Sequence, residues 1–152
     1  MKTLHSRHMA IALREAEDAA RRDEVPVGAV IVDSTTKEIV ARAGNRVEQL
    51  GDPTAHAEMQ AIRKACAALG QKRLENCDLY VTLEPCAMCA SAIAHSHIRR
   101  LYFGAQDVKG GAVENGPRFF EQSTCHHAPE IYGGIGESAA ADLLVEFFRK
   151  KR

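Results

Sequence analysis

Two short segments concentrate the residues able to do chemistry, His56-Ala57-Glu58 and Pro85-Cys86-Ala87-Met88-Cys89. If Pro85 opens a helix, Cys86 and Cys89 lie one turn apart with both sulfurs facing one way, and the helix N-terminus draws a thiol towards the metal-binding thiolate. A C-x-x-C pair alone could equally be a redox couple, but that motif belongs in a thioredoxin-like βαβ unit and does not call for H-x-E upstream. With His56 the set becomes one imidazole and two thiolates, which suits tetrahedral zinc. Three ligands leave the fourth position to water, whose pKa zinc lowers to about 7, whereas a structural site closes with a fourth side chain. Cys125, His126 and His127 are the residues that could close it, making a zinc module that serves as a binding scaffold. The count otherwise favours catalysis.

Glu58 follows His56 by two positions, about 200° around a regular helix, adjacent to the ligand but not collinear with it. It need not bind metal: a carboxylate beside a zinc-bound water can take its proton and deliver it to a ring nitrogen and a leaving amine. Alone, it would be an ordinary first-turn glutamate favoured by the helix dipole. Cys66 and Cys77 are expected to act as small core hydrophobes, and His5, His8, His95 and His97 as surface or core residues.

The elements that must position these groups follow from periodicity. Residues 7–22 have helical spacing; Val25–Val32 and Lys37–Ala43 are predicted strands joined by the Asp33-Ser34-Thr35-Thr36 turn and therefore antiparallel. Asp52-Pro53 offers an N-cap and a first helical position, with Met59, Ile62, Cys66 and Leu69 carrying that helix to Gly70. Leu79–Leu83 is predicted as a buried strand, Pro85 to about Ser96 as a helix, and Arg99–Gly104 as a further strand. The pattern fades from Gln106 to Pro129, leaving loop with a turn of helix near Phe119, and helical spacing returns over Glu137–Arg149. The order α-β-β-α-β-α-β-loop-(β)-α predicts a mixed sheet between helices, a three-layer α/β/α architecture.

A length of 152 residues, 45% hydrophobic and 26% charged, predicts one domain large enough to bury a core without staples. The longest apolar run in the first 25 residues, Met9–Leu13, is too short for a signal peptide or a membrane span. Five cysteines, an odd number, read as free thiols or metal ligands in a reducing cytoplasm. With 20 Lys+Arg against 20 Asp+Glu, the chain lacks the overall basic charge of a non-specific nucleic-acid coat. Local basic groups remain, Arg63, Lys64, Lys72, Arg73 and Arg149-Lys150-Lys151-Arg152, either solvated helix ends or a phosphate footprint.

His-x-Glu with Pro-Cys-x-x-Cys resembles the signature of the zinc-dependent cytidine deaminase-like superfamily, a combination known from nucleobase deaminases. Glu24-Val25-Pro26-Val27-Gly28-Ala29-Val30, Asp52–Glu58 and Tyr80–Cys86 are similar to the branch that acts on tRNA adenosine, up to Lys109 and again at Phe147-Phe148-Arg149. The resemblance implies a five-stranded mixed sheet, a homodimer with one zinc per subunit, and adenosine-to-inosine conversion at the tRNA wobble position. It implies His56, Cys86 and Cys89 as zinc ligands and Glu58 as proton shuttle, with zinc-bound hydroxide attacking C6 of an extruded adenine. Asn45 would hold the nucleoside, and Arg46, Asp107, Lys109 and Phe148 would contact a single-stranded anticodon loop. Ser123–His127 departs from that pattern, standing where better-known members carry an Asn-His pair that helps seat RNA. A free-base or nucleoside deaminase of guanine or cytosine type, sharing the zinc core, is the alternative.

Overall fold

Thr3 opens the first helix: its hydroxyl oxygen accepts the Ser6 amide at 3.1 Å, so α1 (Leu4–Arg21) begins before the predicted residue 7. The computed structural model describes residues 3–151. After α1 come β1 (Gly28–Asp33), β2 (Ile39–Gly44), α2 (Val47–Leu50), α3 (Ala57–Leu69), β3 (Cys77–Leu83), α4 (Ala87–His95), β4 (Arg100–Ala105), β5 (Glu130–Tyr132) and α5 (Glu137–Lys150). A 3-10 turn at Phe119–Glu121 lies where the sequence predicts a turn of helix, and β5 is the strand its order left optional.

The strands form one mixed sheet in the order β2-β1-β3-β4-β5. β1 runs antiparallel to β2 and β3, while β3, β4 and β5 are parallel. Because side chains alternate across a strand, neighbouring residues of the central strands feed two different cores. Ala29, Ile31, Leu79, Val81, Leu101 and Phe103 pack on one face against Ala57, Ala61 and Ala65 of α3 and Ile93 of α4. Val30, Val32, Tyr80 and Tyr102 pack on the other against Met9 and Ala12 of α1, with α5 lying on β4 and α1. The three-layer α/β/α architecture with a mixed five-stranded sheet is therefore as expected.

A Cβ at Gly28 would fall 1.9 Å from the Ala12 carbonyl, so only glycine lets the backbone of α1 lie directly on β1. On the same face Tyr80 and Tyr102 stack at 4.4 Å between centroids, and Tyr132 extends the stack at 5.1 Å.

Several element bounds shift by a few residues from the sequence reading, and three differences have a clear local reason. Pro26 has no amide to give a ladder, and the Val27 amide turns back to the Val25 carbonyl at 2.8 Å, so β1 starts at Gly28 rather than Val25. Asp52 does not cap a helix: its Oδ1 accepts the Thr54 amide at 2.8 Å and hydroxyl at 2.7 Å, a turn that delays α3 until Ala57. The short α2 was not predicted; it forms because the buried Glu24 carboxylate accepts the Glu48 and Gln49 amides at 3.0 and 2.7 Å.

β3 and β4 both end at one edge of the sheet. Leu83 leads there into Glu84-Pro85-Cys86, and Ala105 into Gln106-Asp107. Ligands of open α/β sheets bind beyond the carboxyl ends of the strands, and the chemistry-bearing residues gather here.

Candidate active site

His56 and Cys86 are the N-cap residues of α3 and α4, both with extended backbone and neither using its side chain as a cap. Freed from capping, the two side chains meet. Nδ1 of His56 lies 3.7 Å from the Cys86 sulfur and 3.6 Å from that of Cys89. The three ligand atoms fall within 4.8 Å of one another, and among the described residues no fourth His, Cys, Asp or Glu joins them. Nitrogen and sulfur spaced about one ion apart fit zinc, with one coordination position left open. Because His56 precedes its helix, the helical angle of about 200° to Glu58 does not apply; the extended cap and the first turn instead face the same space.

The electrostatics suit a cation-binding group. Hydrogen bonding from Cys89 and the nearby His56 bring the Cys86 thiol down to about 4, against the opposing effect of burial. The Cys89 thiol is pushed well up, first by the neighbouring Cys86 thiolate and then by burial. The thiolate raises the pKa of His56 through their hydrogen bond, against burial. Both helix N-termini point their amides at this spot, where negative charge is favoured. Burial pushes the Glu58 carboxyl up to about 7, so near neutrality it can both accept and release a proton.

A cleft of about 200 Å³ opens over these groups, lined by His56, Glu58 and Cys86 together with Asn45, Asp107, Glu84 and the apolar Val25, Val27 and Leu83. It is smaller than the pockets of drug-sized ligands and suits one heterocycle with apolar walls. Asn45 is buried, and its Oδ1 finds no hydrogen-bond partner among the described residues. An unsatisfied buried amide in a cleft is a group aimed at a ligand.

Of the other residues singled out in the sequence, Asp107 reaches the cleft, whereas Arg46, Lys109 and Phe148 are not among its lining. Arg46 follows Asn45 and bonds to Gln49; Lys109 is exposed in the turn after Asp107; Phe148 stands half-exposed on α5 beside a separate hollow with Leu144, Val145 and Arg149. Arg63, Lys64, Lys72 and Arg73 are exposed at the outer surface and end of α3. Cys125, His126 and His127 border a different small cavity with His95 and His97, so they supply no fourth ligand. There His127 Nε2 sits 3.0 Å from the Ile98 carbonyl and its ring stacks on His97. Cys77 is buried with its thiol pushed up to about 11 by burial, and Cys66 is raised for the same reason, as core thiols should be. Sequence reasoning missed Glu84, whose only signal was a carboxylate ending an otherwise buried strand, and the walls Val25 and Val27, hidden in a predicted strand.

Residues 2–105 match the model of the cytidine and deoxycytidylate deaminase zinc-binding region. The chain belongs to this family of zinc-binding deaminases. Within the deaminase family it is 61% identical over 144 residues to the tRNA-specific adenosine deaminase of Agrobacterium fabrum, covering 95% of this chain and 93% of that one. A solved structure from work on A-to-I editing by tRNA:A34 deaminases at the wobble position of transfer RNA superposes with a TM-score of 0.88 at 60% identity, over 91% of this chain and 99% of the other. The guanine deaminase of Bacillus subtilis is further away, with a TM-score of 0.63 at 31% identity over 81% of this chain and 87% of its own. A deaminase of this family takes zinc, and His56, Cys86 and Cys89 form the group able to hold it.

Proposed function

We propose that the protein is a zinc-dependent deaminase that converts adenosine to inosine at the wobble position of a tRNA anticodon, with His56, Cys86 and Cys89 as ligands and Glu58 as the catalytic proton carrier. The observation that carries this reading is the three-ligand group sharing one cleft with a buried carboxylate and the unpartnered Asn45 amide. The 61% identity to a tRNA-specific adenosine deaminase directs it to tRNA. His56, Cys86 and Cys89 would hold the zinc, which when bound would lower the pKa of a coordinated water to about 7. Glu58 takes a proton from water and passes protons to the adenine ring nitrogen and the departing amino group, so one water is consumed and one ammonia released. Val25, Val27 and Leu83 grip the flat base and exclude bulk solvent, while Asn45 Oδ1 accepts a hydrogen bond from the nucleoside.

Asp107 at the rim of the cleft and Arg46, Lys109 and Phe148 outside it contact the anticodon loop, with the aromatic ring of Phe148 offering a stacking face and Arg149 and Lys150 on the same helix a phosphate footprint. A single-stranded loop presents its base at little unstacking cost. The chain acts as one domain, as a homodimer with one zinc per subunit, in the cytoplasm. All five cysteines are free, and no described helix is long and apolar enough to cross a membrane.

The test is incubation of purified protein with an anticodon stem-loop and, separately, with adenosine, guanine and cytosine, measuring ammonia and inosine at increasing salt. Inosine formed only in the stem-loop, with KM rising steeply with salt as phosphate contacts release counterions, is the expected result. Salt-insensitive turnover of guanine or cytosine would replace it with the free-base reading.

A further inference from the structure

Glu84 stands at the junction between the metal-ligand segment and the loop beyond β4. It is 2% exposed, and no lysine or arginine pairs with it among the described residues. Its charge is met by one loop instead. Oε1 accepts the Asp107 amide at 3.0 Å and Asn115 Nδ2 at 2.6 Å; Oε2 accepts the amides of Val113, Glu114 and Asn115 at 3.0, 2.9 and 3.0 Å. Hydrogen bonds to a carboxylate are about twice as strong as neutral ones, and a buried carboxylate without them would be untenable.

The loop is shaped to this carboxylate. A Cβ at Gly111 would lie 2.5 Å from Glu84 Cδ and 2.7 Å from its Oε2, so the loop passes where only glycine fits. The Gly111 amide also bonds to the Asp107 carbonyl at 2.8 Å, and the Ala112 amide to the Pro85 carbonyl at 2.9 Å. Glu84 itself is fixed by its own amide, which reaches the Ala105 carbonyl at 2.8 Å. Both oxygens are saturated with donors, which leaves the carboxylate nothing to offer a substrate. The residue whose backbone it holds, Asp107, does line the cleft.

We propose that Glu84 is a positioning residue: by gathering the 107–115 loop onto its carboxylate, it holds Asp107 at the substrate-facing edge of the cleft and governs substrate binding through it. This rests on the reading of Asp107 as a substrate contact. Misplacing a contact by about 1 Å can cost on the order of a hundredfold, and Glu84→Gln turns an NH2 donor towards backbone amides that then lose their acceptor. On the stem-loop, Glu84→Gln therefore raises KM about ten- to a hundredfold, with kcat nearly unchanged and zinc content intact. In an Asp107→Ala background the same change costs less than about twofold, because the residue it acts through is already gone. Loss confined to kcat at unchanged KM, or full additivity with Asp107→Ala, overturns the proposal. Should Glu84→Gln not fold, Asn115→Ala, which removes one half-buried donor, raises KM in the same direction by a smaller factor; an unchanged KM there counts against the proposal.

Amide exchange supplies a readout independent of the substrate. In Glu84→Gln the amides of Asp107, Val113 and Glu114 exchange faster while those of β3 and α3 do not. Unchanged protection would sink the clamp even if wobble adenosine is the substrate, and faster exchange would leave it standing if that substrate proves wrong.

Discussion

The Cys86 sulfur lies 3.7 Å from Nδ1 of His56 across thirty residues of chain, and each residue is the cap of its own helix. One contact thus brings two helix N-termini to a single point. Thiolate charge gathers where two sets of unsatisfied amides converge, and the same field favours anionic chemistry on any substrate placed there.

Removing one ligand tests the metal group directly. Cys89→Ser replaces a thiolate with a hydroxyl that does not deprotonate near neutrality, so zinc per chain, measured by atomic absorption, falls from about one to near zero and activity goes with it. Full zinc content in that variant would mean that another ligand set holds the ion.

Glu58→Gln keeps shape and burial but cannot carry a proton. Zinc content stays at the wild-type level while kcat drops about 10²- to 10⁴-fold. A variant with full turnover would move proton transfer to another group.

Because Asn45 Oδ1 has no partner among the described residues, Asn45→Ala takes away a ligand contact without stripping one from the fold. kcat/KM falls about ten- to a hundredfold, with denaturant midpoint nearly unchanged. A large loss of stability at unaltered kcat/KM would make Asn45 a structural residue.

His8 gives a pH dependence unrelated to the metal. Burial lowers its pKa below the ordinary 6.5, against the raising effect of a hydrogen bond with the Lys37 backbone, while the neighbouring His5, Arg7 and Lys37 side chains lower it further; among the described residues its buried Nδ1 has no partner. Above that value both folded and unfolded chains hold neutral imidazole and nothing is lost. As pH falls below it the unfolded chain takes up the proton first, so stability declines until the folded pKa is passed. Denaturant unfolding at about pH 7.5 and about pH 5.5 should show a smaller decline in His8→Leu than in the wild-type chain. Equal declines would assign the whole slope to other groups, the zinc ligands first among them.

Much of the site is legible along the chain. Histidine, two cysteines and a glutamate at H-x-E and C-x-x-C spacing carry their chemistry in residue type alone, and the uninterrupted apolar runs Val30–Val32, Leu79–Val81 and Leu101–Phe103 declare a sheet covered on both faces. The boundaries were less legible, because they depend on hydrogen bonds to remote groups. Asp52-Pro53 has the composition of a helix start, yet a local turn with Thr54 holds it out of α3, and α2 exists through a glutamate over twenty residues earlier.

Residue types and short-range spacing therefore determined the layers, the candidate ligand group and the class of reaction, since these rest on intrinsic chemistry and on periodicities that any window of sequence displays. Tertiary structure alone decided that Asn45 faces the cleft with an empty acceptor, that Cys125, His126 and His127 border a different cavity, and that Glu84 spends its charge on the amides of a distant loop. Those facts depend on which backbone groups are left without partners once the chain is packed, and no local pattern records that.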